Sequence, residues 1–380
     1  MTFDPAELAV PGVRGLAPYE PGKPIEEVAR EYGLDADEVI KLASNENPRG
    51  PSPRAIDAAR EAAAEVHRYP DGAGTSLREH LAARHCVEPT AITLGNGSND
   101  VLDLVARTFL GPGRNAVFSR HAFAVYPIAT RLAGAAAHVA AAHPADDPKA
   151  PYGHDLEAMA EQVDADTRVV FVANPNNPTG TWIDRAALER FLGRVPEHVI
   201  VVLDEAYSEY VDEPEFPDGV GWLRQYPNLI VTRTFSKIYG LSGLRCGYGI
   251  SSPAIADLLN RARHPFNVNS IALAAAEASL EDNAFVTESA RINAAGRVQL
   301  DNGFRELGLD PIPSVANFIA VDVGGPGEAM HEALMARGVI TRPIGAYEMP
   351  NHLRVTVGTS AENDRALAAF KAVLQQEPGR

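Results

Sequence analysis

The chain has only two cysteines among 380 residues, Cys86 and Cys246, and they lie far apart in the sequence. A disulfide-based scaffold needs a denser cysteine content, and a zinc site needs clustered thiolate or histidine ligands. The eleven histidines are scattered and include no His-Glu-x-x-His motif, and no Cys-x-x-Cys motif occurs. We therefore expect no metal site and two free thiols in a reducing compartment.

Long apolar runs and excess positive charge are also absent. No apolar stretch approaches the ~20 residues that span a bilayer, and Met1–Gly12 carries acids where a secretory signal needs positive charge. The 34 Lys+Arg residues are outnumbered by 50 Asp+Glu residues, which gives a formal net charge of −16. Such a charge disfavours nucleic-acid backbones and anionic membranes as partners. We expect a cytoplasmic protein that acts on small molecules and contacts neither nucleic acid nor membrane.

The middle of the chain alternates short apolar runs with helical stretches. The apolar runs do not alternate with polar residues, which is typical of strands covered on both faces, as in a parallel sheet. The pattern predicts an α/β fold: a three-layer, mainly parallel sheet with a smaller α+β domain. The predicted strands are Ala116–Ser119, Val169–Ala173, Val199–Leu203, Leu229–Thr232 and Tyr248–Ile250, and the helices between them include Asn99–Phe109 and Arg185–Leu192.

Changes in composition along the chain predict its domains. Residues 1–50 are punctuated by proline and glycine and are interpreted as an N-terminal arm or part of the small domain. Residues 51–268 form the predicted large domain. From residue 269 to residue 380 the chain begins with a long alanine-rich helical region, Ser270–Leu307, and continues as the predicted small C-terminal domain.

Three predicted strands in succession run into unusual polar residues. The first is followed by Asn-Pro-Asn-Asn-Pro-Thr-Gly, which contains Asn177, the second by Asp204 and Tyr207, and the third by Ser236 and Lys237. Ligands of open α/β sheets bind at the carboxyl ends of the strands. A single Ser-Lys pair is usually an ordinary surface feature, but three such strand ends in order predict that Asn177, Asp204 and Lys237 converge.

These residue types match the needs of a pyridoxal phosphate ring. A lysine amine condenses with its aldehyde, and an aspartate keeps the pyridine nitrogen protonated so that the ring accepts electrons. An amide and a phenol, here Asn177 and Tyr207, can hydrogen-bond the 3-oxygen of the ring. The phosphate requires hydroxyls, a cation and N–H groups at a helix start, which the turn Gly95–Asn99, Ser236 and Arg245 provide. Phe123 could stack on the ring.

With these motifs in place, the sequence resembles the histidinol-phosphate aminotransferases, fold-type-I enzymes of the class-I/II aminotransferase group. The resemblance extends from about Leu16 to about Leu367. Asn-Pro-x-Asn-Pro-Thr-Gly and Ser-Lys with a downstream arginine are typical of the broad superfamily. The narrower family is indicated by four further motifs: Ala43–Pro48, Tyr69–Asp71, Pro265–Asn269 and Leu353–Thr359.

The resemblance implies a role for each candidate residue. Lys237 would bind the cofactor and shuttle the proton, Asp204 would pair with the pyridine nitrogen, and Tyr207 would face the 3-oxygen with Asn177. It also implies a homodimer with shared active sites, in which Tyr69 reaches the phosphate bound by the neighbouring subunit. The other cofactor-binding residues implied are Ser98, Asn99, Phe123, Ser236 and Arg245. The substrate-binding residues implied are Arg354, which would hold the carboxylate of glutamate, and Arg342, Tyr19 and Asn45 near the entrance.

The resemblance implies transamination between histidinol phosphate and 2-oxoglutarate, a step of histidine biosynthesis. The same motifs also fit aminotransferases for phenylalanine and tyrosine, because Arg342 and Arg354 could serve either substrate. A pyridoxal-phosphate-dependent decarboxylase of a phospho-amino acid would share the lysine and the aspartate. His264 stands where an amide or an acid was expected, and its role is open between a substrate contact and a solvent-facing helix end.

Overall fold

The computed structural model describes residues 3–18 and 22–376. Its strands are β1 (Ile40–Lys41), β2 (Ile92–Gly95), β3 (Asn115–Ser119), β4 (Ala136–Ala140), β5 (Thr167–Ala173), β6 (Ile200–Asp204), β7 (Leu229–Thr234), β8 (Gly247–Ser251), β9 (Asp310–Pro311), β10 (Phe318–Asp322), β11 (Val339–Ile340), β12 (Arg342–Pro343) and β13 (His352–Thr356). Its helices are α1 (Pro11–Arg14), α2 (Ile25–Tyr32), α3 (Pro53–Ala63), α4 (Thr75–His85), α5 (Ser98–Phe109), α6 (Val125–Leu132), α7 (Leu156–Glu161), α8 (Arg185–Arg194), α9 (Pro253–Ala262), α10 (Ser270–Leu280), α11 (Asn283–Glu306), α12 (Gly327–Met335) and α13 (Ser360–Leu374).

A seven-stranded sheet with the order β2-β8-β7-β6-β5-β3-β4 forms the centre of the molecule. The pairs from β7 through β4 are parallel, and β8 runs antiparallel to both of its neighbours. The α/β fold predicted from the apolar runs is confirmed. Because β5, β6 and β7 are parallel neighbours, their carboxyl ends meet at one edge of the sheet.

Successive side chains of the central strands pack into different helical layers. On β5, Val169 and Phe171 join the core under α5, α6 and α9, whereas Val170 and Val172 join the core under α7 and α8. A strand presents alternate residues to opposite faces, so both sets of apolar residues are buried. This arrangement explains the continuous apolar runs of the sequence and produces the three layers.

A smaller four-stranded antiparallel sheet, β12-β13-β10-β9, packs against helices near the end of the chain. Its core includes Leu300 and Phe304 of α11, Phe370 of α13, and the apolar side of β10 and β13. The N-terminal segment joins this region, because β1 pairs in parallel with β11 and Val28 of α2 packs against Ile340. The domain boundaries near residues 50 and 268 stay predictions. Helix α10, which follows the second of them, packs with α3 and α4 on the central sheet.

Three local features differ from the sequence-based expectations. The long helical region breaks after α10, because the Asp282 side chain accepts a hydrogen bond from the N–H of Phe285 at 3.1 Å and starts a new helix. The segment Arg342–Pro343, for which no strand is predicted, forms β12, with Arg342 opposite Arg354. The short strand β2 was not predicted.

Within the described residues, no helix is long and apolar enough to cross a membrane.

The turn after Lys237 gives a testable prediction of stability. Gly240 has a φ of 70°, and a Cβ there would lie 2.3 Å from the carbonyl oxygen of Gly50. Gly240→Ala should lower the free energy of unfolding by about 2–4 kcal/mol, because it adds left-handed backbone strain and a clash with main chain. Urea unfolding should show this as a lower midpoint. Gly111→Ala is the control, since no atom lies within 4 Å of its added Cβ. Equal midpoints for the two variants would contradict the prediction.

Candidate functional site

A cavity of about 420 Å³ lies at the carboxyl ends of β5, β6 and β7. It collects side chains from both sheets and from the segment that follows β1. The residues predicted from sequence that line it are Asn45, Ser98, Asn99, Phe123, Asn177, Asp204, Tyr207, Ser236, Lys237, Arg245, Arg342 and Arg354. The structure therefore brings together residues that are spread over more than three hundred positions of the chain.

Asp204, at the end of β6, is a buried carboxylate held by two hydroxyl groups. Tyr126 donates a hydrogen bond to its Oδ2 at 2.9 Å, and Thr232 donates one to its Oδ1 at 3.1 Å. Burial raises the pKa of Asp204, and these hydrogen bonds and the charge of Lys237 act against that rise. A cation placed beside this carboxyl would further favour its charged form.

Neither hydroxyl was assigned a role from the sequence. Tyr126 stacks on Phe171 with ring centroids 4.8 Å apart and meets Phe123 edge to face at 5.9 Å. The sequence feature that could have identified Tyr126 is its position three residues after Phe123, the candidate for stacking on the ring. Thr232 lies within β7, directly opposite Asp204 on β6, and this cross-strand register could not be predicted from the sequence.

Lys237 follows β7, and its amine lies within the cavity. The Nζ atom donates a hydrogen bond to the carbonyl oxygen of Ser44 at 3.2 Å and lies 5.7 Å from the ring centroid of Tyr207. Burial lowers the pKa of Lys237 to about 8, and the nearby charge of Arg354 adds to this effect. A substantial fraction of this amine is therefore neutral at mildly alkaline pH, which a nucleophile or a base requires.

Tyr207 and Asn177, the two side chains predicted to hydrogen-bond the ring oxygen, are each held by a hydrogen bond. The Nδ2 of Asn45 donates to the hydroxyl oxygen of Tyr207 at 3.0 Å. The Oδ1 of Asn177 accepts from Nη1 of Arg354 at 2.6 Å, which leaves its Nδ2 as the donor of that amide. Both predicted partners of a ring oxygen are thus held in place by residues from outside the central sheet.

One end of the cavity has the chemistry of an anion site. Ser98 is the first residue of α5, whose N-terminal N–H groups carry partial positive charge. Arg245 lies beside this turn because Gly97 has no side chain: a Cβ there would lie 2.5 Å from Nη2. Nη1 of Arg245 also donates to Ser236 Oγ at 3.4 Å. Hydroxyls, a guanidinium and a helix start converge there, as a phosphate group requires.

The other end carries two arginines on neighbouring strands, Arg342 of β12 opposite Arg354 of β13. Arg354 is buried, and its Nη2 donates to the carbonyl oxygen of Ala43 at 2.7 Å. Its Nε has no hydrogen-bond partner within the described part of the chain. A buried guanidinium with an unsatisfied N–H is suited to receive an anionic ligand.

Three predicted or open residues do not join this cavity. Tyr69 is 83% exposed and stacks on Phe266 with ring centroids 4.7 Å apart, away from the cavity of its own chain. Tyr19 lies outside the described residues. His264 is exposed and does not line the cavity.

The donor set fits pyridoxal phosphate on its chemistry. The cavity combines an amine of lowered pKa, a buried carboxylate, an aromatic ring and a phosphate cradle, and these are the groups that this cofactor requires. The cavity also contains the Nε of Arg354, which has no hydrogen-bond partner among the described residues.

The comparisons with known proteins agree with this chemistry. The family model for aminotransferase class I and II matches residues 37–370. The chain is 58% identical to histidinol-phosphate aminotransferase 2 of Pseudomonas fluorescens, with 97% of each chain covered. It is also 58% identical to histidinol-phosphate aminotransferase 2 of Methylococcus capsulatus, covering 97% of this chain and 98% of that one.

Solved structures of similar proteins share the fold. Histidinol-phosphate aminotransferase from Sinorhizobium meliloti, solved in complex with pyridoxal-5'-phosphate, has a TM-score of 0.87 at 29% identity, with 97% of each chain covered. A mutant aspartate aminotransferase from Thermus thermophilus has a TM-score of 0.82 at 24% identity, covering 96% of this chain and 99% of that one, and indicates the fold alone. The chain therefore belongs to the class I and II aminotransferases, and within them to the histidinol-phosphate aminotransferase family of pyridoxal-phosphate-dependent enzymes.

Proposed function

We propose that the protein transfers the amino group between histidinol phosphate and 2-oxoglutarate, in histidine biosynthesis. The relatives that are 58% identical carry the name of this activity. The structural observation that carries the proposal is the cross-strand pair Arg342 and Arg354, which lines the cavity of a protein with a formal net charge of −16. Two guanidinium groups on neighbouring strands can pair with an anionic group in this part of the cavity. Both substrates carry such an anion.

The cofactor, when bound, supplies the carbonyl carbon that exchanges amino groups and a conjugated ring that takes up electrons. The neutral amine of Lys237 would be the base that accepts and returns the substrate proton. Asp204, held by Tyr126 and Thr232, would pair with the pyridine nitrogen and stabilise its protonated form. Phe123 would stack on the ring.

The remaining residues orient the reactants. Ser98, Asn99, Ser236 and Arg245 would hold the cofactor phosphate at the N-terminus of α5, which would orient the cofactor relative to Lys237. Asn177 and Tyr207 would hydrogen-bond the ring oxygen. Arg354 receives the carboxylate of glutamate through its free Nε, and Arg342 receives the anionic group at the entrance.

We also propose a homodimer with shared active sites. Tyr69 supports it, since an aromatic side chain that is 83% exposed and stacked on Phe266 is typical of an interface residue. Tyr69 would then reach the phosphate bound by the partner subunit. A cytoplasmic location belongs to the same proposal, and the free thiols of Cys86 and Cys246 support it.

The substrate is tested by comparing kcat/KM for histidinol phosphate and phenylalanine, each with 2-oxoglutarate as acceptor. We expect histidinol phosphate to be preferred by about 10- to 100-fold, because its phosphate carries close to two negative charges and three acceptor oxygens for the two arginines, whereas phenylalanine offers a single carboxylate. Pyruvate in place of 2-oxoglutarate is the acceptor control and should be slow. Equal or higher values for phenylalanine would identify an aromatic aminotransferase instead. Carbon dioxide release from a phospho-amino acid without any acceptor would identify a decarboxylase.

Replacement of Lys237 tests the proposed catalytic amine. Lys237→Ala should lower kcat by more than about 10³-fold and remove the visible absorbance band of the bound cofactor, since it removes both the covalent anchor and the base. Lys149→Ala is the matched control, because Lys149 is exposed and away from the cavity. A Lys237→Ala protein that keeps both the band and the turnover would refute the assignment.

The lowered pKa of Lys237 predicts how cofactor uptake depends on pH. Only the neutral amine attacks an aldehyde, so uptake by the cofactor-free protein should slow about tenfold per pH unit below a pKa of about 8 and level off above it. Stopped-flow absorbance measures this profile over about 1.5 pH units on either side of the pKa of about 8. Arg354→Leu removes a cation that lowers the pKa of Lys237 and should move the midpoint to higher pH. A midpoint unchanged in Arg354→Leu would contradict the electrostatic explanation.

A further inference from the structure

Both polar atoms of the Asn45 side chain are hydrogen-bonded within the protein, although the residue lines the cavity. Asn45 is 1% exposed, and its backbone is left-handed with a φ of 56°, a conformation that asparagine and glycine adopt most readily. Its Nδ2 donates to Tyr207 Oη at 3.0 Å, and its carbonyl oxygen accepts from Nδ2 of Asn317 at 3.0 Å. An amide engaged in this way has little capacity left for a substrate.

Thr356 determines which way the Asn45 amide points. The backbone N–H of Asn45 donates to Thr356 Oγ1 at 2.9 Å, so that this hydroxyl must direct its own proton elsewhere. The atom within reach is Oδ1 of Asn45, at 3.2 Å. Thr356 therefore holds Oδ1 on its side and leaves Nδ2, a pure donor, facing Tyr207.

Because Asn45 Nδ2 donates to Tyr207 Oη, it also determines where the Tyr207 hydroxyl directs its own proton. Because Tyr207 Oη accepts from Asn45, its own proton is directed away from Asn45, and the described residues offer it no acceptor. Burial raises the pKa of Tyr207 to about 12, so the hydroxyl keeps this proton at neutral pH. The ring is fixed by edge-to-face contact with Phe318, with centroids 5.3 Å apart. Only the O–H direction is left to be set.

We propose that Asn45 is a positioning residue: held by Thr356, it makes Tyr207 an acceptor on one side and so directs the Tyr207 O–H into the cavity, toward the 3-oxygen of the cofactor. This inference rests on the proposed position of Tyr207 next to that oxygen. It assigns Asn45 a function through Tyr207 rather than through direct contact with the substrate. It also links the small sheet, which carries Thr356 and Arg354 on one strand, to a group that tunes the cofactor.

The test measures the pH at which the visible absorbance of the bound cofactor changes, in the holoenzyme and in three variants: Asn45→Gly, Tyr207→Phe and their combination. Glycine removes the amide without adding charge and tolerates the left-handed backbone. A donor to the ring oxygen stabilises its negative charge, so weakening that donor should raise the spectral pKa. We expect a three- to tenfold change in the proton dissociation constant for Asn45→Gly, in the same direction as Tyr207→Phe. The double variant should behave like Tyr207→Phe alone.

The outcomes separate the inference from the proposed function. If Tyr207→Phe leaves the spectral pKa unchanged, the placement of Tyr207 beside the ring oxygen is wrong and the inference falls with it. If Tyr207→Phe shifts it but Asn45→Gly does not, or if the two shifts add, only the inference is overturned.

A pair of variants at Thr356 keeps the test valid if Asn45→Gly does not fold. Thr356→Val removes the hydroxyl that orients the amide at nearly constant volume, and it should shift the spectral pKa in the same direction. Thr356→Ser keeps the hydroxyl and should restore the value of the unaltered protein. A shift of equal size in Thr356→Val and Thr356→Ser would contradict an effect of the hydrogen bond and overturn the inference.

Discussion

The structure depends on burying the carboxyl group of Asp204 at the end of an apolar strand. Asp204 ends a strand whose other residues are all apolar and buried, and burial alone would favour its neutral form. Hydroxyl donors on opposite sides, Tyr126 and Thr232, supply part of the solvation that water would otherwise provide. Their placement requires β6 and β7 to be parallel neighbours and α6 to begin beside the end of β5. The sheet, covered by helices on both faces, therefore positions the site residues and also places the hydroxyl donors that Asp204 requires.

A second constraint is that the cavity is completed by the small sheet. Arg354 on β13 bonds to Asn177, which follows β5, and Thr356 on the same strand orients the amide that bonds to Tyr207. Both groups proposed to face the ring oxygen are thus connected to a single strand outside the central sheet. An anion bound at Arg354 would act on the same strand, and in the proposed function this would couple substrate binding to the environment of the cofactor.

Much of this site could be predicted from the sequence because the carboxyl ends of parallel strands lie at the same edge of a sheet. Once Asp204 and Lys237 are recognised as the ends of parallel neighbours, their proximity follows from the sheet. The hydrogen-bond partners could not be predicted in this way. Asn45 and Thr356 are separated by 311 positions, and no local pattern shows that two such residues meet. Likewise, the four residues of β2 are too few to show a period, and the Asp282 cap is a single residue within an alanine-rich region that would otherwise continue as one helix.

The distribution of charge explains how an acidic protein can hold anionic reactants. The formal net charge of −16 repels anions at long range, but salt screens such interactions beyond about 10 Å. Within the cavity, Arg245, Arg342, Arg354 and Lys237 line one enclosed volume, where screening is weak and interactions are stronger than in water. In the proposed function, recognition is decided by a few short contacts inside the cavity. Arg354 and Arg245 also contribute to the lowered pKa of Lys237, so a group proposed to bind the substrate also helps to make the amine reactive.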